Sequence, residues 1–169
     1  MFSCEFPRMG TGDHDFLTIS VDDEAGTARL AAQLARVLGV GDVVLLQGTL
    51  GAGKTAFCRA LIRAVLDEPE ALVASPTFTF SQIYSADHLV VTHFDLYRMG
   101  EPEEVFDLGW DDARAEGAAL VEWPDRLRGL RPTDALILAI DLDAEREQAR
   151  TFRFSGPLDW AKRLGEVRL

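Results

Sequence analysis

The chain has 169 residues, of which 47% are hydrophobic, and its formal net charge is −11. This length and composition fit one domain with a sizeable core. The acidic balance argues against a chain that wraps nucleic acid by itself, because phosphate contacts require clustered lysine and arginine.

Several classes of protein are excluded by features that the sequence lacks. No apolar run is long enough to span a bilayer, and the N-terminus shows no basic segment followed by an apolar one, so we expect a cytoplasmic protein without membrane contact. Its two cysteines, Cys4 and Cys58, are too few for a disulfide framework or a metal cluster. The absence of Asn removes the Asn-Lys-x-Asp element with which small GTPases select guanine.

The first elements lead towards a glycine-rich segment. Residues 16–20 predict a short strand, and the acidic residues 22–24 favour the start of a helix. Gly39 and Gly41 are predicted to end this helix. Residues 42–47 then predict a buried strand.

The glycine-rich segment that follows has the pattern G-x-x-x-x-G-K-[ST] of a phosphate loop, or Walker A motif. Glycines let backbone amides turn inward on a phosphate chain, because a Cβ would block that approach. Lys54 then offers a charge to the outer phosphates and Thr55 a hydroxyl to Mg²⁺. The alternative is a glycine-rich turn that binds nothing. The predicted phosphate-binding residues are Gly48, Thr49, Leu50, Gly51, Ala52, Gly53, Lys54 and Thr55.

The loop is followed by a helical pattern and then by strands. Residues 72–74 predict a brief strand, and residues 80–84 and 89–94 predict an antiparallel hairpin. The hairpin ends in Asp95. An acidic residue that closes an apolar strand downstream of a phosphate loop is expected to bind Mg²⁺ through its water shell. Taken alone, such an aspartate is equally well a solvated turn residue.

Two further polar residues are candidates for the same site. Thr77 follows Pro76 in an extended conformation and could place its hydroxyl on Mg²⁺ as a switch loop does, or it could begin a strand. Glu122 ends the apolar run 118–121, where a carboxylate could polarise an attacking water. The alternative for Glu122 is a charge at a sheet edge.

The roles of two residues near these candidates, His93 and Trp123, stay open. His93 shares the face of Asp95 on the predicted strand, where it either lines the site or packs in the core. Trp123 either covers a nucleotide or is half-buried core.

The helices and strands predicted after residue 100 set the limits of the domain. Short helices are predicted from residue 101 and over 111–116, and closing strands over 135–142 and 151–154. We therefore place the domain at residues 15–155. It lies between a loose N-terminus, 1–14, and a C-terminal tail, 156–169, whose pattern permits a short helix.

Three more motifs follow the phosphate loop in order: Ser75-Pro76-Thr77-Phe78-Thr79, His93-Phe94-Asp95-Leu96-Tyr97-Arg98 and Glu122-Trp123-Pro124. With them the chain closely resembles the TsaE (YjeE) family over roughly residues 15–142. These are small bacterial ATPases required for threonylcarbamoyladenosine modification of tRNA, at the adenosine beside the anticodon. The resemblance implies an α/β, P-loop NTPase-like domain of three layers whose sheet mixes parallel and antiparallel strands.

The resemblance also implies roles for matching residues. The loop would bind the ATP phosphates and Trp123 would lie near the nucleotide. Lys54, Asp95 and Glu122 are the expected catalytic residues. The expected ligands or near neighbours of Mg²⁺ are Thr55, Thr77, Asp95 and Glu122.

Partners and alternatives follow from the same resemblance. TsaE family members act with TsaB and TsaD, where TsaD transfers the threonylcarbamoyl group and TsaE hydrolyses ATP to permit repeated turnover. The tRNA would then be held mainly by the partners, which fits the acidic composition. Hydrolysis by the chain alone is expected to be weak, since no arginine finger is evident. The alternatives are a small-molecule P-loop kinase and a protein that uses ATP only to set its shape.

Overall fold

A seven-stranded sheet forms the middle layer of residues 15–165, the part of the chain that the computed structural model describes. Its strands are β1 Leu17–Val21, β2 Val43–Gln47, β3 Ser81–Ser85, β4 Val90–Asp95, β5 Ala118–Glu122, β6 Leu136–Leu142 and β7 Arg150–Ser155. The helices are α1 Glu24–Ala35, α2 Lys54–Leu66, α3 Glu104–Asp107, α4 Trp110–Glu116 and α5 Leu158–Gly165, with a 3₁₀ helix at Pro124–Leu130.

The sheet has a parallel centre and antiparallel edges. Its strand order is β1-β7-β6-β2-β5-β4-β3. Strand β2 pairs in parallel with β5 and β6, and β5 pairs in parallel with β4. The outer pairs β3–β4, β6–β7 and β1–β7 are antiparallel. The predicted mixed sheet and the β3–β4 hairpin are therefore confirmed.

Helices cover both faces of the sheet. One apolar cluster joins the sheet to α1, α2 and α5 through side chains such as Leu34, Phe57 and Trp160. The other joins it to α3, α4 and the 3₁₀ helix, with Trp110 packed edge-on against Phe94 at 5.5 Å. Each large apolar side chain that is fully buried stabilises the fold by about 1.5–3 kcal/mol. The three-layer α/β architecture is thus confirmed.

Helix α1 begins where the sequence predicts and ends earlier. Asp23 caps it by accepting a hydrogen bond from the Gly26 amide at 2.7 Å. The helix ends at Ala35 rather than at the glycines. The amides that follow bind the carbonyl three residues back, as in a 3₁₀ turn, and Val37 N–H donates to Leu34 O at 3.1 Å.

The predicted strand at residues 72–74 is wrong. The carbonyl groups of this segment bind side chains instead of a neighbouring strand. Arg59 Nε donates to Val73 O at 3.1 Å, and Tyr84 Oη donates to Ala74 O at 3.4 Å. The segment therefore lies along α2 without joining the sheet.

The described fold continues past the predicted boundary at residue 155. Trp160 and Leu164 of α5 are buried in the cluster that also holds α1 and α2. Residues 1–14 lie outside the described part. Within residues 15–165, no helix has the length and apolar composition needed to cross a lipid bilayer.

Candidate functional site

Three parallel strands bring the predicted site residues together. The phosphate loop follows β2, Asp95 ends β4 and Glu122 ends β5. The register pairs Leu46 with Glu122 and Asp95 with Glu122. Because carboxyl ends of parallel strands meet at one edge of a sheet, the loop and both carboxylates face the same place.

The loop backbone has the conformation that its glycines permit. Gly53, which precedes α2, has φ of 107°, a value that favours glycine. A Cβ at Gly48 would lie 2.7 Å from the carbonyl oxygen of Ile140. Ala52 is fully buried and Leu50 is largely exposed. The first amides of α2 have no carbonyl partner within the helix and directly follow the loop, an arrangement that suits an anion.

Lys54 lies inside the loop. Its Nζ donates to Gly48 O at 2.8 Å and to Thr49 O at 2.9 Å, and it lies 3.8 Å from the centre of the Trp123 ring. The side chain is 4% exposed. This burial lowers the pKa of Lys54, and the nearby carboxylates of Glu122 and Asp95 oppose that shift.

Glu122 is held from two sides. Its Oε2 accepts a hydrogen bond from Thr55 Oγ1 at 2.9 Å, and its Oε1 lies 2.9 Å from His93 Nε2. It is 2% exposed. The alternative of a charge at a sheet edge is wrong, because β5 lies between β2 and β4.

Asp95 and Thr77 form a second polar pair. Thr77 Oγ1 donates to Asp95 Oδ2 at 2.7 Å, and the Tyr97 amide donates to Asp95 Oδ1 at 3.1 Å. Asp95 is 4% exposed, so it is no solvated turn residue. Thr77 begins no strand. It lies in a turn closed by the Phe80 amide and Pro76 O at 2.6 Å.

These groups line one cavity of about 330 Å³ beside the loop. Trp123 forms part of its wall with φ of 59°, and its ring lies 4.9 Å from that of Tyr97. Trp123 therefore covers Lys54 instead of lying in the core. Tyr97 was not predicted as a site residue, although its position two residues after Asp95 could have indicated it. The lining residues are Leu50, Gly51, Gly53, Lys54, Thr55, Ala56, Thr77, Asp95, Tyr97, Glu122 and Trp123.

A second cavity, of about 480 Å³, lies on the other side of the loop. Gly51 and Gly53 line it together with Glu147, Gln148 and Arg150, from the turn between β6 and β7 and the start of β7. Arg150 Nε donates to Ala52 O at 3.0 Å and so ties this turn to the loop. The contact joins residues 98 positions apart, and no sequence motif indicates it.

The donor atoms at the site suit a hard cation. Thr55, Thr77 and Asp95 offer oxygen atoms, the ligands that Mg²⁺ prefers. A softer set, Cys58, His93 and Glu122, has ligand atoms within 4.8 Å of one another. Burial raises the pKa of the Cys58 thiol well above its usual value, which keeps the sulfur protonated and a poor metal ligand.

Comparison with known proteins places the chain in a family. A family model described as "Threonylcarbamoyl adenosine biosynthesis protein TsaE" matches residues 21–152. The chain belongs to the TsaE family. The matched range contains every predicted site residue, whereas most of β1, the second half of β7 and all of α5 lie outside it.

Curated relatives carry the name "tRNA threonylcarbamoyladenosine biosynthesis protein TsaE". The one from Rickettsia conorii is 40% identical over 66% of this chain and 63% of its own length. The TsaE protein of Aquifex aeolicus is 35% identical over 80% of this chain and 95% of its own. The alignments span less than two thirds of the first two relatives, from Rickettsia conorii and Rickettsia felis, at 63% and 64% of their lengths.

A solved structure shares the fold of this TsaE family chain. The crystal structure of Bacillus subtilis YdiB superposes with a TM-score of 0.70 and covers 89% of this chain and 92% of its own. The two sequences are 24% identical in that superposition, so the likeness concerns the fold.

Proposed function

We propose that this TsaE family chain binds and hydrolyses Mg²⁺–ATP as a subunit required for threonylcarbamoyladenosine modification of tRNA. One observation carries the proposal. Lys54, Thr55, Thr77, Asp95 and Glu122 converge on a single cavity at the carboxyl ends of β2, β4 and β5. This is the place where ligands bind in open α/β sheets.

The phosphates would lie in the curve of the loop. The free amides at the start of α2 and the Lys54 ammonium both favour an anion there. Lys54 Nζ now donates to two loop carbonyls, and a bound phosphate oxygen would take over part of this hydrogen bonding. Because Lys54 is buried, its charge acts with little screening by water.

Mg²⁺ would be held by Thr55 Oγ1 and, directly or through water, by Asp95. When bound, it would neutralise charge on the phosphates. Thr77 donates to Asp95 Oδ2 and so fixes that carboxylate near the cavity.

Glu122 would orient the attacking water and, through Thr55, the metal. Its carboxylate lines the cavity, and its Oε2 accepts the Thr55 hydrogen bond at 2.9 Å. A carboxylate so fixed can accept a proton from water in the transition state.

The nucleoside would occupy the second cavity, which adjoins the loop at Gly51 and Gly53. Its volume of about 480 Å³ lies within the usual range for small-molecule sites. The Glu147–Gln148 backbone and side chains would then face the base or ribose.

We further propose that the chain works in the cytoplasm with TsaB and TsaD, and that tRNA reaches it only through these partners. The net charge of −11 supports an indirect role towards tRNA. The names of the relatives, which concern tRNA threonylcarbamoyladenosine biosynthesis, support the pathway.

Reconstituting the reaction tests the proposal. TsaB, TsaD, tRNA and ATP are incubated with the wild-type chain, with Lys54→Ala or without the chain, while phosphate release and modified adenosine are measured. We expect repeated turnover only with the wild type. Equal modification without the chain would refute the role in tRNA. Transfer of phosphate to a metabolite instead of water would support the kinase alternative.

A further inference from the structure

His93 is a buried polar side chain to which the proposed function gives no role. It is fully buried on β4, and its Nε2 lies 2.9 Å from Glu122 Oε1. We propose that His93 is a positioning residue whose Nε2–H holds the Glu122 carboxylate in the orientation that Thr55 and the bound metal require. This inference rests on the proposed function, because it concerns how Glu122 acts.

The surroundings of the second ring nitrogen assign the tautomer. His93 Nδ1 is buried and has no hydrogen-bond partner among residues 15–165. A buried N–H without an acceptor costs more free energy than a buried nitrogen lone pair without a donor. Orphaned donors are accordingly rarer in folded proteins than under-satisfied acceptors. Nε2 faces a carboxylate oxygen, which can only accept, so Nε2 carries a proton and donates it to Glu122.

The contact fixes both oxygens of one carboxylate. Glu122 Oε1 is held from β4 by His93, and Oε2 is held from α2 by Thr55. Without the His93 donor, Glu122 keeps one anchor and can turn towards the Lys54 ammonium, which its charge already affects. In that orientation its Oε2 no longer accepts the hydrogen bond from Thr55, and Thr55 is no longer held in the position that the metal requires.

A pair of substitutions separates positioning from packing. His93→Met fills similar space without a donor, whereas the side-chain amide of His93→Gln can place an N–H near the position of Nε2. We expect His93→Met to lower kcat by roughly ten- to a hundredfold and to raise the Mg²⁺ concentration for half-maximal rate. We expect His93→Gln to keep kcat within about threefold of the wild type, and Mg²⁺-free nucleotide binding to change less than about twofold in both variants.

Val91→Ala is the control for packing. Val91 lies on the same strand and face as His93, is fully buried and does not line the cavity. This variant should unfold at a lower temperature and keep its kcat. The proposal is overturned if His93→Met keeps the wild-type kcat. It is also overturned if the kcat of Val91→Ala or of His93→Gln falls as far as that of His93→Met.

A spectrum tests the geometry without any turnover. In the ¹⁵N-labelled wild type, long-range ¹H–¹⁵N correlations of the His93 ring should show a protonated Nε2 and a bare Nδ1. The opposite tautomer would overturn the assignment. Since this measurement needs no ATP, a chain that binds no nucleotide would refute the proposed function while the spectrum still decides the position of the proton.

Discussion

The Thr55 hydroxyl donates a 2.9 Å hydrogen bond to Glu122 Oε2, between residues 67 positions apart. It connects the first turn of α2, where the phosphate loop ends, with the carboxyl end of β5. A ligand bound in the loop therefore contacts a helix whose second residue, Thr55, is already joined to the proposed catalytic carboxylate.

Glu122→Gln should slow ATP hydrolysis far more than it weakens ATP binding. The amide keeps the shape of the side chain but cannot accept a proton from water, a role worth roughly 10²–10⁴-fold in rate. Single-turnover hydrolysis and calorimetric binding, measured on the same sample, check this. Equal losses in rate and affinity would contradict a role in positioning water.

Lys54→Ala should weaken ATP binding at least about tenfold and reduce hydrolysis to background, because a charged hydrogen bond to phosphate is worth about 1.5–3 kcal/mol. The chain offers a matched control, since it contains only two lysines. Lys162 on α5 is exposed, and Lys162→Ala should change neither quantity. Wild-type hydrolysis by Lys54→Ala would refute the phosphate-loop assignment.

Thr77→Val should raise the Mg²⁺ concentration for half-maximal hydrolysis by roughly tenfold, because Asp95 loses the donor that orients it. Nucleotide binding without Mg²⁺ should stay unchanged. Thr79→Val removes an exposed hydroxyl from the same segment and serves as the control. If both variants respond alike to Mg²⁺, the Thr77–Asp95 contact has no part in metal binding.

Arg150→Ala should weaken nucleotide binding by about fivefold, which corresponds to loss of one hydrogen bond of about 1 kcal/mol between β7 and the loop. Arg153 on the same strand forms ion pairs with Asp15 and Asp141 at 3.3 and 2.8 Å. Arg153 lines neither of the two cavities beside the loop, so Arg153→Ala should leave nucleotide affinity unchanged. Calorimetric titration with ADP measures both. Unaltered affinity in Arg150→Ala would show that the loop needs no support from β7.

Gly117→Ala should lower the free energy of unfolding by about 1–3 kcal/mol, because the added Cβ would overlap the carbonyl group of Val90 and force β4 and β5 apart. Gly129→Ala meets no atom within 4 Å and should be close to neutral. Denaturant unfolding compares the two. A Gly117→Ala protein as stable as Gly129→Ala would contradict the close approach of these strands.

Local patterns in the sequence were enough for much of the site. The phosphate loop, the strand before it and the carboxylates at two strand ends are each specified by adjacent residues. Turn residues and apolar runs predicted the β3–β4 hairpin, the family resemblance implied the mixed sheet, and the structure confirms both. The strand predicted at 72–74 does not form, because Arg59 and Tyr84 satisfy the carbonyl groups of Val73 and Ala74 from distant positions.

The sequence by itself therefore determined which side chains carry groups suited to phosphate and Mg²⁺, since the ammonium of lysine, the hydroxyl of threonine and the carboxylate of aspartate come with the residue type. Only the tertiary structure decided where Glu122 lies and which side chains it contacts. Strand order is set by packing across the whole sheet, and it placed β5 in the interior, where Glu122 meets Thr55 and His93. Hydrogen bonds between residues so far apart in the chain depend on that order, and no local pattern encodes them.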